Sequence, residues 1–164
     1  GDVVVAYDAD RTYPVADAER LVAAVEAGAD VATASPFLEG GVVDAPWFRR
    51  VLSAGAAAAY RLAVGRRARG VRTFTAGFRA YRGPLVRGLA FRSDGFASTA
   101  EILGRLLLDG AGLVEVPSTL TTRTEGRSKM RVLRAIRGHL GVLARLVARR
   151  VRGGGRATPR VTRP

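Results

Sequence analysis

Two carboxylates one residue apart, Asp8 and Asp10, end the stretch "VVVAYDADRTYP" near the start of this 164-residue chain. Val3 to Ala6 read as a short strand with both faces covered, the kind found inside a parallel sheet. Side chains two apart in an extended chain project to the same side, so Asp8 and Asp10 are expected to point together with Ala9 turned away. That places them just beyond the carboxyl end of a strand, where open α/β sheets hold their ligands. Paired carboxylates there can bind a hard cation, Mg²⁺ or Mn²⁺, together with substrate phosphates. The same residue types also cap helices and close turns.

Further chemistry-bearing groups lie downstream. Arg79 and Arg82 alternate in "GFRAYR", Glu101 lies in "GFASTAEIL", and Arg123, Ser128 and Lys129 lie in the polar loop "TTRTEGRSKM". Read from the residues alone, the arginines of "GFRAYR" are alternating strand positions with Phe78 and Tyr81 packed inside. Glu101 is an acid near a helix start, where the helix dipole favours it, and "TTRTEGRSKM" is a solvated basic loop. His139, the one histidine, sits mid-helix with no second ligand candidate near it in sequence and reads as incidental.

The elements that must position these groups follow from periodicity and breakers. Ala16 to Ala27 has helical spacing and stops at Gly28. "ADVATASPF" reads as a strand, "LEGGVVDAP" as a flexible loop, and Trp47 to Val64 as a long helix with the small-residue face "SAGAAAAYRLA". "TFTAGFRAYR" mixes turn and strand. Residues 97–109 form an amphipathic helix ending at Gly110, "GLVEVPSTL" is a strand, and the helical pattern resumes from Met130 to about Val151. The tail "GGGRATPRVTRP" has little to bury and is expected to be disordered. Strands alternating with helices indicate α/β layering.

The ordered series "DAD…P", "ADVATASPFLEGG", "WFRRVLS", "TAGFRAYR", "GFASTAEIL" and "LVEVPSTLTTRTEGRSKM" resembles the family-2 glycosyltransferases, nearest to the dolichyl-phosphate mannose synthase and polyprenyl-phosphate glycosyltransferase branch. The likeness is collinear from about Val3 to Met130. It implies a GT-A-type, Rossmann-like α/β fold from which the N-terminal nucleotide-binding strands are missing. Residues 1–130 would be the C-terminal two-thirds of the catalytic domain, 131–152 a basic amphipathic helix and 153–164 a disordered tail. It further implies a hexose moved from a nucleotide-diphosphate sugar of the GDP-mannose or UDP-glucose type to a polyprenyl phosphate. Asp8 and Asp10 would hold Mg²⁺ or Mn²⁺, with Asp10 and Glu101 the catalytic carboxylates. Arg79, Arg82, Arg123, Ser128 and Lys129 would bind phosphates and substrate. A phosphate acceptor is already an anionic nucleophile, so such a site needs charge compensation and positioning more than a strong base. The 164 residues alone are expected to be inactive and poorly stable.

The chain departs from the family pattern at several places. "DADRTYPV" stands for the usual "DADLQHPP", bringing in Arg11, Thr12 and Tyr13. "ASP" at Ala34 to Pro36 replaces "GSR", Thr73 replaces an aspartate, and Ala76 replaces a serine. These changes leave open a different sugar or acceptor, or a non-catalytic relative.

Charge is unevenly placed. Residues 1–122 hold 14 Arg/Lys and 13 Asp/Glu, a balance of +1, whereas residues 123–164 hold 13 Arg/Lys and the single acid Glu125, a balance of +12. Between Arg131 and Arg152, Val132, Leu133, Ile136, Leu140, Leu143, Leu146 and Val147 recur at helical spacing among arginines. Such a helix suits an anionic membrane surface, and equally an apolar stripe packed on the body with arginines in water. The expected location is peripheral, on the cytoplasmic face of a membrane. Nucleic acid would also be attracted to this charge, but residues 123–164 contain no aromatic side chain for base stacking. The chain has no cysteine, which excludes disulfides and thiolate metal sites.

Overall fold

The computed structural model describes residues 1–9, 12–121 and 132–153. A four-stranded mixed sheet has the order β1(Val3–Ala6), β4(Arg79–Arg82), β2(Val31–Ser35), β5(Leu113–Pro117). β1, β2 and β5 run the same way and β4 runs against them, with Ala6 opposite Arg79 and Val3 opposite Arg82. A second, two-residue pairing joins β3(Val42–Val43) to β6(Thr119–Leu120). The carboxyl ends of β1, β2 and β5 therefore share one edge of the sheet with the amino end of β4.

Alternation along the strands makes two cores. Ala32, Ala34, Phe78, Ala80 and Val116 pack with Leu21 and Val25 of α1(Asp17–Glu26) on one face. Val31 and Tyr81 face the other side, against α2(Trp47–Val64), α4(Phe96–Leu108) and α5(Val132–Gly153). The alanines on the α1 side let that helix lie close to the sheet, and small residues of α2 bring Ala57 and Ala63 into the opposite core.

Most elements fall where the residue pattern puts them, with three differences. "LEGGVVDAP" contains β3, because Val42 and Asp44 donate to the main-chain oxygens of Ser118 and Leu120. A short helix, α3(Gly83–Arg87), follows β4 directly, set off by Pro84 in its first turn. β1 is not covered on both faces: among the described residues its one strand partner is β4, and Val4 and Val5 are about 40% exposed.

The basic C-terminal helix docks on the body. Val142 and Leu146 of α5 are buried, while Ile136, Leu140, Val147 and Val151 face outward, so the sequence stripe divides between two surfaces. Leu146 lies against Gly104 of α4, where an added β-carbon would come within 3.0 Å of its Cδ2. A mid-helix glycine costs about 1 kcal/mol relative to alanine; here it opens the room that α5 fills. Arg145 reaches Glu101, Arg149 makes two bonds to Asp109 at 2.7 and 3.0 Å, and Arg150 donates to the carbonyls of Leu62 and Ala63 at the end of α2. Three of the arginines that suggested a polyanion surface are thus directed inward. Leu146→Ala is expected to lower unfolding free energy by about 3 kcal/mol, and Asp109→Ala, which breaks an exposed pair, by less than about 1 kcal/mol. Urea denaturation measures both.

Candidate active site

The Asp8 turn is built from aromatic packing. Tyr7 meets Phe78 edge to face at 4.8 Å between ring centroids, and its hydroxyl donates to the Tyr13 carbonyl at 2.7 Å. Tyr13 is buried and also meets Phe78, at 6.0 Å between ring centroids. Phe78 thereby holds both ends of the turn, and the unusual Tyr13 has a packing role. The Asp8 side chain lies directly over Gly77: a β-carbon there would sit 2.6 Å from the Asp8 carboxyl carbon. Only glycine allows that approach. At the far side of the turn, the main-chain N–H of Thr121 donates to the Thr12 carbonyl at 2.9 Å.

The segment carrying Gly77 is braced from three sides. The Glu115 carboxylate accepts the main-chain N–H groups of Arg72 and Thr73 at 3.0 and 2.9 Å. The hydroxyls of Ser35 and Thr73 are 2.7 Å apart and buried. Arg79, fully buried, donates to Thr33 Oγ1 and to the carbonyls of Thr99 and Phe74, at 3.1, 2.6 and 2.7 Å. Glu115 of β5 is thus an anchor for two loop amides. No spacing rule pairs residue 115 with 72, so sequence reasoning had no signal for it. The departures at 36 and 73 fall side by side, since Thr73 bonds Ser35 next to Pro36. Where the family pattern has arginine and aspartate, this chain has Pro36 and Thr73, and the Thr73 hydroxyl is met by that of Ser35.

The expected site residues separate into three groups. Asp8 stands at the carboxyl edge of β1. Asp10, Arg123, Ser128 and Lys129 lie outside the described residues. Arg79, Arg82 and Glu101 are placed differently from the expectation. Arg79 directs its guanidinium into the protein rather than toward a ligand. Arg82 is opposite Val3, at the other end of β4 from the Asp8 turn, and pairs with Asp30 at 3.1 Å. Its side chain ties β4 to the start of β2, because alternation puts it on the strand but direction puts it at the wrong end. Glu101 is 2% exposed and accepts from the Ser93 N–H at 2.9 Å and from Arg145 at 3.1 Å. Those bonds take a carboxylate expected at a catalytic position and use it to fasten α5. Among the described residues no group of three or more His, Asp or Glu side chains is gathered for a metal.

His139 is not incidental: its Nδ1 lies 2.7 Å from the Tyr60 hydroxyl, beside the stacked pair Tyr60–Phe74. Burial, and then the Glu101 charge, hold the Tyr60 phenol well above its ordinary value. Burial pushes the His139 imidazole below its ordinary 6.5. Burial pushes the Glu101 carboxyl up, but the Ser93 donors and the Arg145 guanidinium outweigh it and hold it below its ordinary 4.5.

No protein-family profile matches the chain. It is 39% identical over 132 residues to the polyprenol monophosphomannose synthase of Mycolicibacterium smegmatis, covering 78% of this chain and 49% of that protein. It is 34% identical to a dolichol-phosphate mannosyltransferase of Pyrococcus furiosus, over 80% of this chain and 37% of that protein. With an undecaprenyl-phosphate mannosyltransferase of Micrococcus luteus it shares 33% identity, over 79% and 53%. The chain is a relative of the polyprenyl-phosphate mannosyltransferases. It spans about half or less of the length of these relatives. Its fold matches the GT-A glycosyltransferases: glucosyl-3-phosphoglycerate synthase of Mycobacterium tuberculosis, solved with UDP and with Mn²⁺, UDP-glucose and glycerol 3-phosphate, superposes with TM-scores of 0.54 and 0.57. Those matches cover 91% of this chain and 50% of that one, at 20% and 19% identity.

The acid response of α5 follows from the two lowered groups. Each has a folded-state pKa below its unfolded one, so each contributes stability that is complete above the unfolded value and is lost as pH falls. The His139 contribution declines as pH drops below 6.5, and the Glu101 contribution as pH drops below 4.5. Glu101→Gln is expected to flatten the lower limb of a plot of Tm against pH and to leave the upper limb in place.

Proposed function

We propose that the protein to which this chain belongs transfers a hexose, mannose by its relatives, from a nucleotide-diphosphate sugar to a polyprenyl phosphate at an anionic membrane surface. The observation that carries this reading is the edge at Asp8. Its carboxylate lies over Gly77 at the carboxyl end of β1, and the Thr12–Thr121 hydrogen bond ties the same turn to the chain two residues before Arg123. The acidic turn and the root of the basic "TTRTEGRSKM" loop are therefore joined, as a diphosphate leaving group and an anionic acceptor require.

The oxygen donors fit a hard divalent ion. Asp8, with Asp10, would hold Mg²⁺ or Mn²⁺, and the remaining positions suit diphosphate oxygens. When bound, such an ion neutralises the departing diphosphate as a Lewis acid. Arg123, Lys129 and the Ser128 hydroxyl would steady the donor and acceptor phosphates. Arg79 acts here as a positioning residue, because it holds the Phe74 carbonyl three residues before Gly77. Glu101 keeps α5 in place. Neither touches the reacting atoms in this reading, and no general base is needed when a phosphate oxygen attacks.

In the full-length protein, Asp10→Ala and Asp8→Asn are expected to lower transfer of labelled mannose from GDP-mannose to extracted lipid phosphate by about a thousandfold, roughly 4 kcal/mol of barrier. Near-normal turnover in either would remove the metal assignment. Gly77→Ala is expected to lower turnover by at least about tenfold, because its methyl group displaces the Asp8 carboxylate. Transfer from UDP-glucose but not GDP-mannose would reassign the sugar.

A further inference from the structure

Tyr60 is a fully buried side chain that the proposed chemistry leaves unused, and it stands between α5 and the segment carrying Gly77. On one side its hydroxyl meets His139 Nδ1 at 2.7 Å, with the two rings edge to face at 5.8 Å. On the other its ring stacks on Phe74, 5.1 Å between centroids and 13° from parallel. Small residues let α5 come this near: a β-carbon on Gly138 would lie 3.4 Å from that of Ala97, in the first turn of α4. Burial keeps the His139 imidazole neutral at pH 7 and the Tyr60 phenol protonated. A Tyr60 hydroxyl that only accepted would bury its own proton unpaired, so it donates and Nδ1 accepts. Packing alone would be served by phenylalanine, which has no hydroxyl to bury.

We infer that Tyr60 is a positioning residue for the Asp8 edge, and that His139, by fixing the Tyr60 ring over Phe74, makes docked α5 part of the support of the site. Phe74 is held at both ends, its carbonyl by Arg79 at 2.7 Å and its ring by Tyr60. Thr73, just before it, is held through its N–H by Glu115 and through its hydroxyl by Ser35. The main-chain contacts fix where the segment runs, and the stack fixes which way Phe74 faces. A stacked ring can still slide over its neighbour, because the attraction has no sharp direction. The hydrogen bond to His139 pins the far end of the Tyr60 ring and removes that freedom. Gly77 follows three residues after Phe74 and carries the surface on which the Asp8 carboxylate lies. A displacement of about 1 Å there is enough to cost much of the rate in a site that works by placement. The inference rests on the transferase reading only in treating the Asp8 edge as the reaction centre.

Amide hydrogen exchange, followed by mass spectrometry on the full-length protein, reads this link without turnover. In the peptide over residues 72–80, Tyr60→Phe is expected to speed exchange by about tenfold, since the ring keeps its stack and loses its anchor. His139→Leu should do the same. His139→Asn, whose amide oxygen can stand where Nδ1 stands, should restore slow exchange. Leu107→Ala, a buried change at the end of α4 far from Thr99, should lower Tm at least as much and leave that peptide as it was. Mannose transfer should fall about tenfold in Tyr60→Phe and His139→Leu and return in His139→Asn. Exchange over residues 72–80 that ignores Tyr60→Phe would overturn the proposal. So would exchange that rises in Leu107→Ala as well, in step with lost Tm, because Tyr60 is then core packing alone. Faster exchange with undiminished transfer would overturn the positioning role. A parent protein that transfers no sugar but shows the expected exchange pattern removes the transferase reading and leaves the link standing.

Discussion

The close approach of the Asp8 carboxylate to Gly77 is the constraint around which the sheet edge is arranged. A side chain at residue 77 would fill the same space, so the backbone there must be bare and must also be held still. Holding it still is the common effect of otherwise unrelated contacts. Glu115 binds the amides of Arg72 and Thr73, Ser35 meets Thr73, and buried Arg79 grips the Phe74 carbonyl. A fully buried guanidinium is costly unless its donors are matched. Arg79 matches them with one hydroxyl and two main-chain oxygens, which makes it specific for this one loop shape. Its conversion from expected ligand to brace follows from that burial.

The second organising contact is α5 on α4 and α2. Sequence gives a strongly basic helix, and basicity invites a polyanion. The structure answers part of that charge internally: Glu101, Asp109 and the carbonyls closing α2 receive Arg145, Arg149 and Arg150. Glu101 is the strongest of these, because it is buried, tied also to Ser93, and kept ionised by its partners. The exposed pair Arg149–Asp109 adds orientation more than free energy.

What sequence made legible was local. The strand before Asp8, the helix Trp47–Val64 and the helix ending at Gly110 depend on nearest-neighbour pattern and breakers, and they stand where that pattern put them. The resemblance in ordered motifs reached the GT-A fold for the same reason. What it did not show was direction and depth. "GFRAYR" reads as a strand, but nothing in it says that β4 runs against its neighbours, and that reversal sends Arg82 to the far end of the sheet. Glu101 reads as a helix-start acid until Arg145, forty-four residues later, covers it. β1 reads as covered on both faces, yet its exposure is set by which strand lies beside it.

The outer arc of α2 shows why an apolar pattern alone cannot assign a helix to the core. Periodicity finds the small buried side, alanines and Tyr60, and the larger Trp47, Phe48, Val51, Leu52 and Leu62 then look like more of the same. Their exposure separates two apolar environments on one helix, one made by the protein and one left for something else.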